Sequence, residues 1–267
     1  MRGAAGRHLR EWSVLLTLLL VLLFTALRYG WLERADNWFY DTAIGWSGRP
    51  AARDILIVAI DEPSLAQIGR WPWSREHLAA LIEQLHAANS GPVLLDVILS
   101  EPQRDNPAAD ARLAAALAAH GRVVLPIYLP PGASAPMLPL AQFAQVARVG
   151  HAQALVDADG VSRRYLTLEA MGQTPVAHVS EVLHALGTHV PGTPEAAPTG
   201  GESRLVPFAG PAGHYARIPA ADVLSGTVPA ERLRGKTVLI GATATGLSDN
   251  LVTPLAGVNG EIGRAHV

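Results

Sequence analysis

The run Ile55-Leu56-Ile57-Val58-Ala59-Ile60 constrains the fold of this chain more than any other feature. It is short, β-branched and without polar alternation, as a strand covered on both faces must be, and such strands belong to the middle of parallel sheets. Asp61 and Glu62 follow it directly, and the turn Trp71-Pro72-Trp73 comes before Arg75. Asp54 to Arg75 thus joins a buried strand, an acidic strand end and an aromatic turn in one unit.

The pattern then repeats. Ser74 can cap a helix whose Leu78, Leu81, Ile82 and Leu85 form one apolar stripe, and Gly91-Pro92 separates it from a second apolar run, Val93 to Leu99. Asn106 and Pro107 start a further helix that ends near Gly121, and Val123 to Ile127 makes a third strand. Strand, helix, strand, helix, strand is the signature of βαβ units, so the expected fold is α/β, a mixed, mostly parallel sheet with flanking helices. Beyond a Pro-rich loop from Pro126 to Pro139, Val149 to Val156 and Val161 to Ala170 read as a hairpin turning at Asp157-Ala158-Asp159-Gly160. A helix with Val179, Val182, Leu183 and Leu186 on one side, closed by Gly187, precedes a Pro/Gly/Thr-rich linker from His189 to Ser203. Leu205 to Phe208, a short helix around Ala220 to Leu224 and the apolar Thr237 to Ile240 bring the chain back to the sheet.

Ahead of all this lies Ser13 to Leu27, uncharged and preceded by Arg2, Arg7, His8 and Arg10. A cleaved signal peptide would need small residues two apart at its end, and no such pair occurs between Phe24 and Asp36. Retention is the reading. With Trp12 and the flank Arg28 to Trp31 as interface residues, the span reaches ~20 residues, enough for ~30 Å of hydrocarbon. Its basic side stays in the cytoplasm under the positive-inside rule, which places the remainder outside. Leu32, Ala35, Phe39, Ala43 and Trp46 then mark a short amphipathic stalk, ended by Gly48 and Pro50. A net charge of -2 leaves no basic surplus for phosphates, so nucleic acid is not an expected partner; the absence of cysteine removes disulfides and thiolate chemistry.

Several residues can carry chemistry. Asp61 and Glu62 stand where open α/β sheets collect ligands, either as a binding or catalytic pair or with Asp61 capping the turn through Pro63 and Ser64. Asp96 lies in an apolar run and needs a partner, for which Arg75 or Arg70 is the candidate. Trp71 and Trp73 wall an apolar pocket or simply pack in the core. Thr243 sits in the Gly241 to Gly246 turn, whose amides and hydroxyls can face a ligand at the sheet end. Asp157 and Asp159 lack the later ligands of a calcium loop and read as a turn. Gly235-Lys236-Thr237 fails as a phosphate loop because the required Gly is Ala230 and a strand follows instead of a helix. His151 and His178 lack ligand spacing and read as structural. No metal or cofactor is expected.

The ordered wording of the chain resembles the CHASE2 family of extracytoplasmic sensor domains of bacterial transmembrane receptors. The resemblance covers roughly Asp36 to Gly260. It rests on R-x-D-x-x-x-Y-D at Arg34, Asp36, Tyr40 and Asp41, on IVAIDEPSL, GRWPWSR and LLDVILSEP (Leu94 to Pro102), and on GHAQALVDADGVSRR. ADVLSGTVP (Ala221 to Pro229) and LRGKTVLIGATATGLSDNLVTPL (Leu233 to Leu255) complete the set. One departure is that Leu94 and Leu95 precede Asp96 where the family usually has Gly-Phe, a change that bears on packing. The resemblance implies an α/β sensor between transmembrane helices, detecting a small-molecule or protein signal, working as a homodimer in the bacterial inner membrane with its bulk in the periplasm. Its output would be a histidine kinase, whose family members the HYARIPAADVLSGTVP wording is most similar to, or a nucleotide cyclase, diguanylate cyclase or serine/threonine kinase. The chain itself is then no enzyme. Two other readings compete: a membrane-anchored periplasmic hydrolase using Asp61, Glu62 and Asp96, and a ligand-free interaction or dimerisation module.

The expected organisation is a basic cytoplasmic segment (1–12), a signal-anchor helix (13–31), the sensor domain (32–260) and a tail (261–267). The tail back-translates as GAG ATC GGA AGA GCA CAC GTC, the text of a short-read sequencing adapter whose next codon, TGA, is a stop. It is expected to be an artefact of sequencing that truncates the reading frame.

Overall fold

The structure is a computed structural model that describes residues 2–46, 48–130, 133, 135–171, 174–188, 201–211, 213–247 and 251–255. The linker residues 189–200 and the tail 261–267 lie outside the described residues. The chain forms two units, Met1–Gly48 and Arg49–Val267.

The first unit is a pair of helices. α1 (Arg2–Arg28) ends at a turn through Tyr29 and Gly30, where Gly30 takes φ +65°, and α2 (Trp31–Trp46) follows. Arg10–Arg28 is 19 residues of mean hydropathy 1.8, long and apolar enough to cross a membrane. At a 1.5 Å rise it reaches about 28 Å. The helix therefore stops at Arg28, inside the expected 13–31 segment, and Trp31 opens α2. The stalk is helical as expected, with Phe39 and Trp46 of its apolar stripe exposed.

The second unit begins with β1 (Ile55–Ile60), α3 (Glu62–Ile68), α4 (Arg75–Ala87), β2 (Val93–Leu95), α5 (Pro107–His120), β3 (Val123–Ile127), α6 (Ala141–Ala144) and β4 (Arg148–His151). Next come β5 (Ala154–Val156), β6 (Ser162–Leu166), β7 (Leu168–Met171), β8 (Thr174–Ala177) and α7 (Val179–Thr188). The last elements are β9 (Ser203–Leu205), β10 (Arg217–Pro219), α8 (Ala220–Leu224), α9 (Ala230–Leu233) and β11 (Thr237–Ala242). Six strands form one all-parallel sheet in the order β10-β1-β11-β2-β3-β4. Two small antiparallel sheets, β5-β6-β9 and β7-β8, make the architecture mixed. β11, late in the chain, lies between β1 and β2 and pairs with β1 over its whole length, from Ile55 opposite Thr237 to Ile60 opposite Ala242.

Local chemistry explains the helix ends. Ser74 accepts from the Glu76 amide at 3.2 Å and Asn106 from the Ala109 amide at 3.3 Å, with Pro107 opening α5 and Gly121 closing it at φ +73°.

The two faces of the parallel sheet follow strand alternation. Leu56, Val58, Ile60, Val93, Leu95, Val123, Leu125, Val238 and Ile240 point to one side, where α4, α5 and α8 supply Leu78, Leu81, Leu85, Leu113, Leu117 and Val223 to a single continuous core. Leu94, Val124 and Leu239 point to the other, where Val179 and Leu183 of α7 make a much smaller cluster.

Three expectations change. The second strand ends at Leu95, because the Val97 amide turns back to the Leu95 carbonyl at 2.8 Å; Asp96 thus stands just past the strand instead of within it. The expected hairpin exists only as β5-β6. Its first arm splits, since β4 joins the parallel sheet beside β3 before the chain crosses to the small sheet; its second arm breaks at Thr167, whose amide donates to the Glu202 carbonyl. The segment expected as a strand at Leu205 to Phe208 pairs earlier, as Ser203–Leu205 against β6.

Candidate functional site

The thinly covered face of the sheet holds a cavity of about 510 Å³. Its floor is Ile57, Leu94 and Leu239, with Asp96 and Gly241 at the carboxyl ends of β2 and β11. Ser162, Arg164 and Tyr165 of β6 form a second wall, His178, Val179 and Leu183 a third, and Tyr128, Thr243 and Thr253 complete the rim. This is the position and size expected of a ligand pocket in an open α/β sheet. It exists because α7 covers only part of the face: Gly150 of β4 lets the start of α7 approach so closely that a Cβ there would lie 3.0 Å from Val179 Cα. Beyond that contact the sheet, β5 and β6 border a partly open space.

Of the sequence-predicted site residues, Asp96 and Thr243 line the cavity and the other five do not. Asp96 lies across Gly241, where an added Cβ would be 3.7 Å from its Oδ2. Thr243 is aimed by the turn after β11, in which the amides of Thr243 and Ala244 both donate to the Ile60 carbonyl, at 3.0 and 3.1 Å. Glu62 serves that same turn, accepting from the Thr245 amide at 3.0 Å. Asp61 caps α3, accepting from the Ser64 amide at 3.0 Å. Trp71 and Trp73 meet edge to face at 5.7 Å on the helix-covered side, where Trp73 is buried and donates from Nε1 to the Gly69 carbonyl at 3.0 Å. They are core and turn, not cavity wall. Arg75 is not the partner of Asp96: its Nε faces Asp110 at 3.6 Å, both groups nearly buried. Burial pushes the Arg75 pKa down, and the Asp110 charge opposes this.

The hairpin turn and the histidines resolve similarly. Asp157 and Asp159 hold the buried Arg163, at 2.7 Å from Asp157 Oδ2 and 2.8 Å from Asp159 Oδ2, so both carboxylates brace the hairpin. Lys236 donates to the Arg53 carbonyl at 2.6 Å. His151 and His178 turn out to be neighbours, their rings 4.9 Å apart, with Tyr165 4.6 Å from His178. His178 Nδ1 takes hydrogen bonds from the Ser180 hydroxyl (2.7 Å) and amide (3.2 Å), which assigns its proton to Nε2. Burial, and then the charge of His151, push its pKa down to about 3; burial likewise lowers that of His151, opposed by the Leu166 carbonyl. Both rings are neutral at physiological pH.

Sequence reasoning missed Arg164, Tyr128 and Tyr165. Arg164 adjoins Arg163 and looks the same in the sequence, but strand alternation sends it the other way, into the cavity. That alternation was the available signal.

Comparison with protein families gives one match, the CHASE2 domain, over residues 16–267. No curated protein matches the chain, and no solved structure does.

Proposed function

From the premise that this chain belongs to the CHASE2 family, the sensory extracytoplasmic domains of receptors, we propose that it senses a signal in the periplasm for a bacterial inner-membrane receptor. The match itself carries this reading: it starts at residue 16, inside a helix apolar enough to span, and runs on through the sheet domain. The output is a histidine kinase, with a nucleotide cyclase, diguanylate cyclase or serine/threonine kinase as the other outputs consistent with the family. The receptor works as a homodimer, and signal binding shifts an equilibrium between two states by its differential affinity for them.

The competing hydrolase has little support in the geometry. Asp61 and Glu62 spend their carboxylates on backbone amides, and Asp96 lines a cavity that neither of them lines. Sequencing the locus past codon 260 in long reads tests the receptor reading: further transmembrane helices followed by a kinase or cyclase domain are expected, and a clean stop there would refute it. A phosphatase active only after export, fused after Gly201, should be active; a silent fusion would overturn the orientation.

A further inference from the structure

Two consecutive arginines on β6 have opposite fates. Arg163 is buried and clamped between two carboxylates. Arg164 lines the cavity, and its Nε is buried with no hydrogen-bond partner among the described residues. Its neighbours across the strands, Leu155 and Leu205, have nothing to offer it. A guanidinium N–H without an acceptor is costly to bury, so the fold keeps here a donor that it does not itself satisfy. Nε itself is shut off from the open space, so the outer edge of the guanidinium, with its two Nη groups, presents the parallel N–H groups that a planar carboxylate accepts end-on.

The geometry points to this cavity as the binding site for a small organic acid with an apolar, ring-sized body and a hydrogen-bond donor at its far end. Arg164 takes the carboxylate. The body lies on Ile57, Leu94 and Leu239, which an inorganic anion would leave uncovered. Asp96 and Thr243, at the ends of parallel strands on a different wall from β6, accept the donor. Asp96 also excludes diacids, since a second carboxylate would meet its charge. The inference deepens the sensor reading by naming the chemistry of its signal.

Titration calorimetry on the full chain in detergent tests it with 4-hydroxyphenylacetate, phenylacetate, the neutral 4-hydroxyphenylacetamide and 4-carboxyphenylacetate. The hydroxy acid should bind, with the amide at least ~10-fold weaker through loss of the charge-assisted pair, and the diacid weaker still. Arg164→Gln should remove the preference for acid over amide while the chain keeps its unfolding midpoint. Asp96→Asn should relax the exclusion of the diacid. Equal binding of acid and amide, or an acid preference that survives Arg164→Gln, would overturn the proposal, as would no binding of either acid up to ~10 mM, where even a weak fragment of this size registers. The acid and amide comparison on the unaltered chain needs no variant to fold. All of these readouts are independent of the locus sequence and the export fusion, so failure here leaves the receptor reading standing.

Discussion

The two faces of the six-stranded sheet are built from the same alternating strands and finished in opposite ways. On one, α4, α5 and α8 bring leucines that are fully buried, such as Leu78, Leu81 and Leu117. On the other, α7 covers one end with Val179 and Leu183 and leaves a partly open cavity beside it. The first face has the close-packed interior of any stable α/β domain. The second withholds packing where the carboxyl ends of the strands, Arg164 and Asp96 converge. Stability and recognition are thus divided between sides of one sheet.

The contrast is easiest to break with side-chain truncation. Leu81→Ala leaves a hole in a filled core and should cost ~2–5 kcal/mol, whereas Leu239→Ala enlarges an existing cavity and should cost ~1 kcal/mol or less. Urea unfolding of the purified chain compares them; equal losses would mean that the second face is as tightly packed as the first.

Acid should strain both sides at once. His178 on the cavity side is held down to about 3 by burial and then His151, and His120 at the end of α5 to about 4 by burial, then Arg122 and His86. Their folded values lie below the unfolded one near 6.5, so the neutral rings contribute stability above pH 6.5 that is lost as the pH falls. Each ring loses ~1.4 kcal/mol per pH unit below 6.5, so unfolding at pH 5.5 should show the chain weaker by ~2–3 kcal/mol than at pH 7.5. Below pH 4 the His178 share should continue beside the losses from Asp159 and Glu83, whose carboxylates Arg163 and Arg112 hold below their usual values, and His178→Gln should remove the His178 share. An unchanged urea midpoint between pH 7.5 and 5.5 would contradict the neutral assignment.

These pairs also show what was legible beforehand. β1, α4, α5 and β3 were readable because their patterns are local: a β-branched run, a helical stripe, a cap at each end. The second half was not, because Val149 to Val156 looks like one strand and only tertiary pairing splits it between two sheets. The cavity was illegible for the same reason, since its walls come from positions as far apart as Ile57 and Thr253. Of the seven expected site residues, Thr243 was reached through the rule about strand ends and Asp96 as a carboxylate in an apolar run that needs a partner. The hydrogen bond of Glu62 to the Thr245 amide was not legible because the two are remote in sequence.

The adjacent arginines sharpen the comparison further. Arg163→Gln strands two carboxylates, one of them half exposed, and should cost ~2 kcal/mol, below the full penalty of a wholly buried pair. Arg164→Gln removes an Nε donor that has no partner among the described residues and should change stability by less than ~0.5 kcal/mol. A larger loss at Arg164 than at Arg163 would reverse their assigned roles. On cavity binding no effect is expected at Asp61, where Asp61→Ala removes a helix cap and should cost ~1 kcal/mol in urea unfolding while leaving ligand binding in the cavity intact. Loss of binding there would return Asp61 to the candidate site.

The central place of β11 sets a schedule for the newborn chain. β1 and β2 are the first strands made, yet they are never partners; a slot one strand wide has to stay open between them until residues 237–242 arrive. Through that interval both inner edges offer unpaired amides and carbonyls to each other and to neighbouring chains. Secretion of this domain is therefore a race in which the closing strand is the last of the sheet to be made, and chaperones that shield bare strand edges have most to do for it until residues 237–242 arrive.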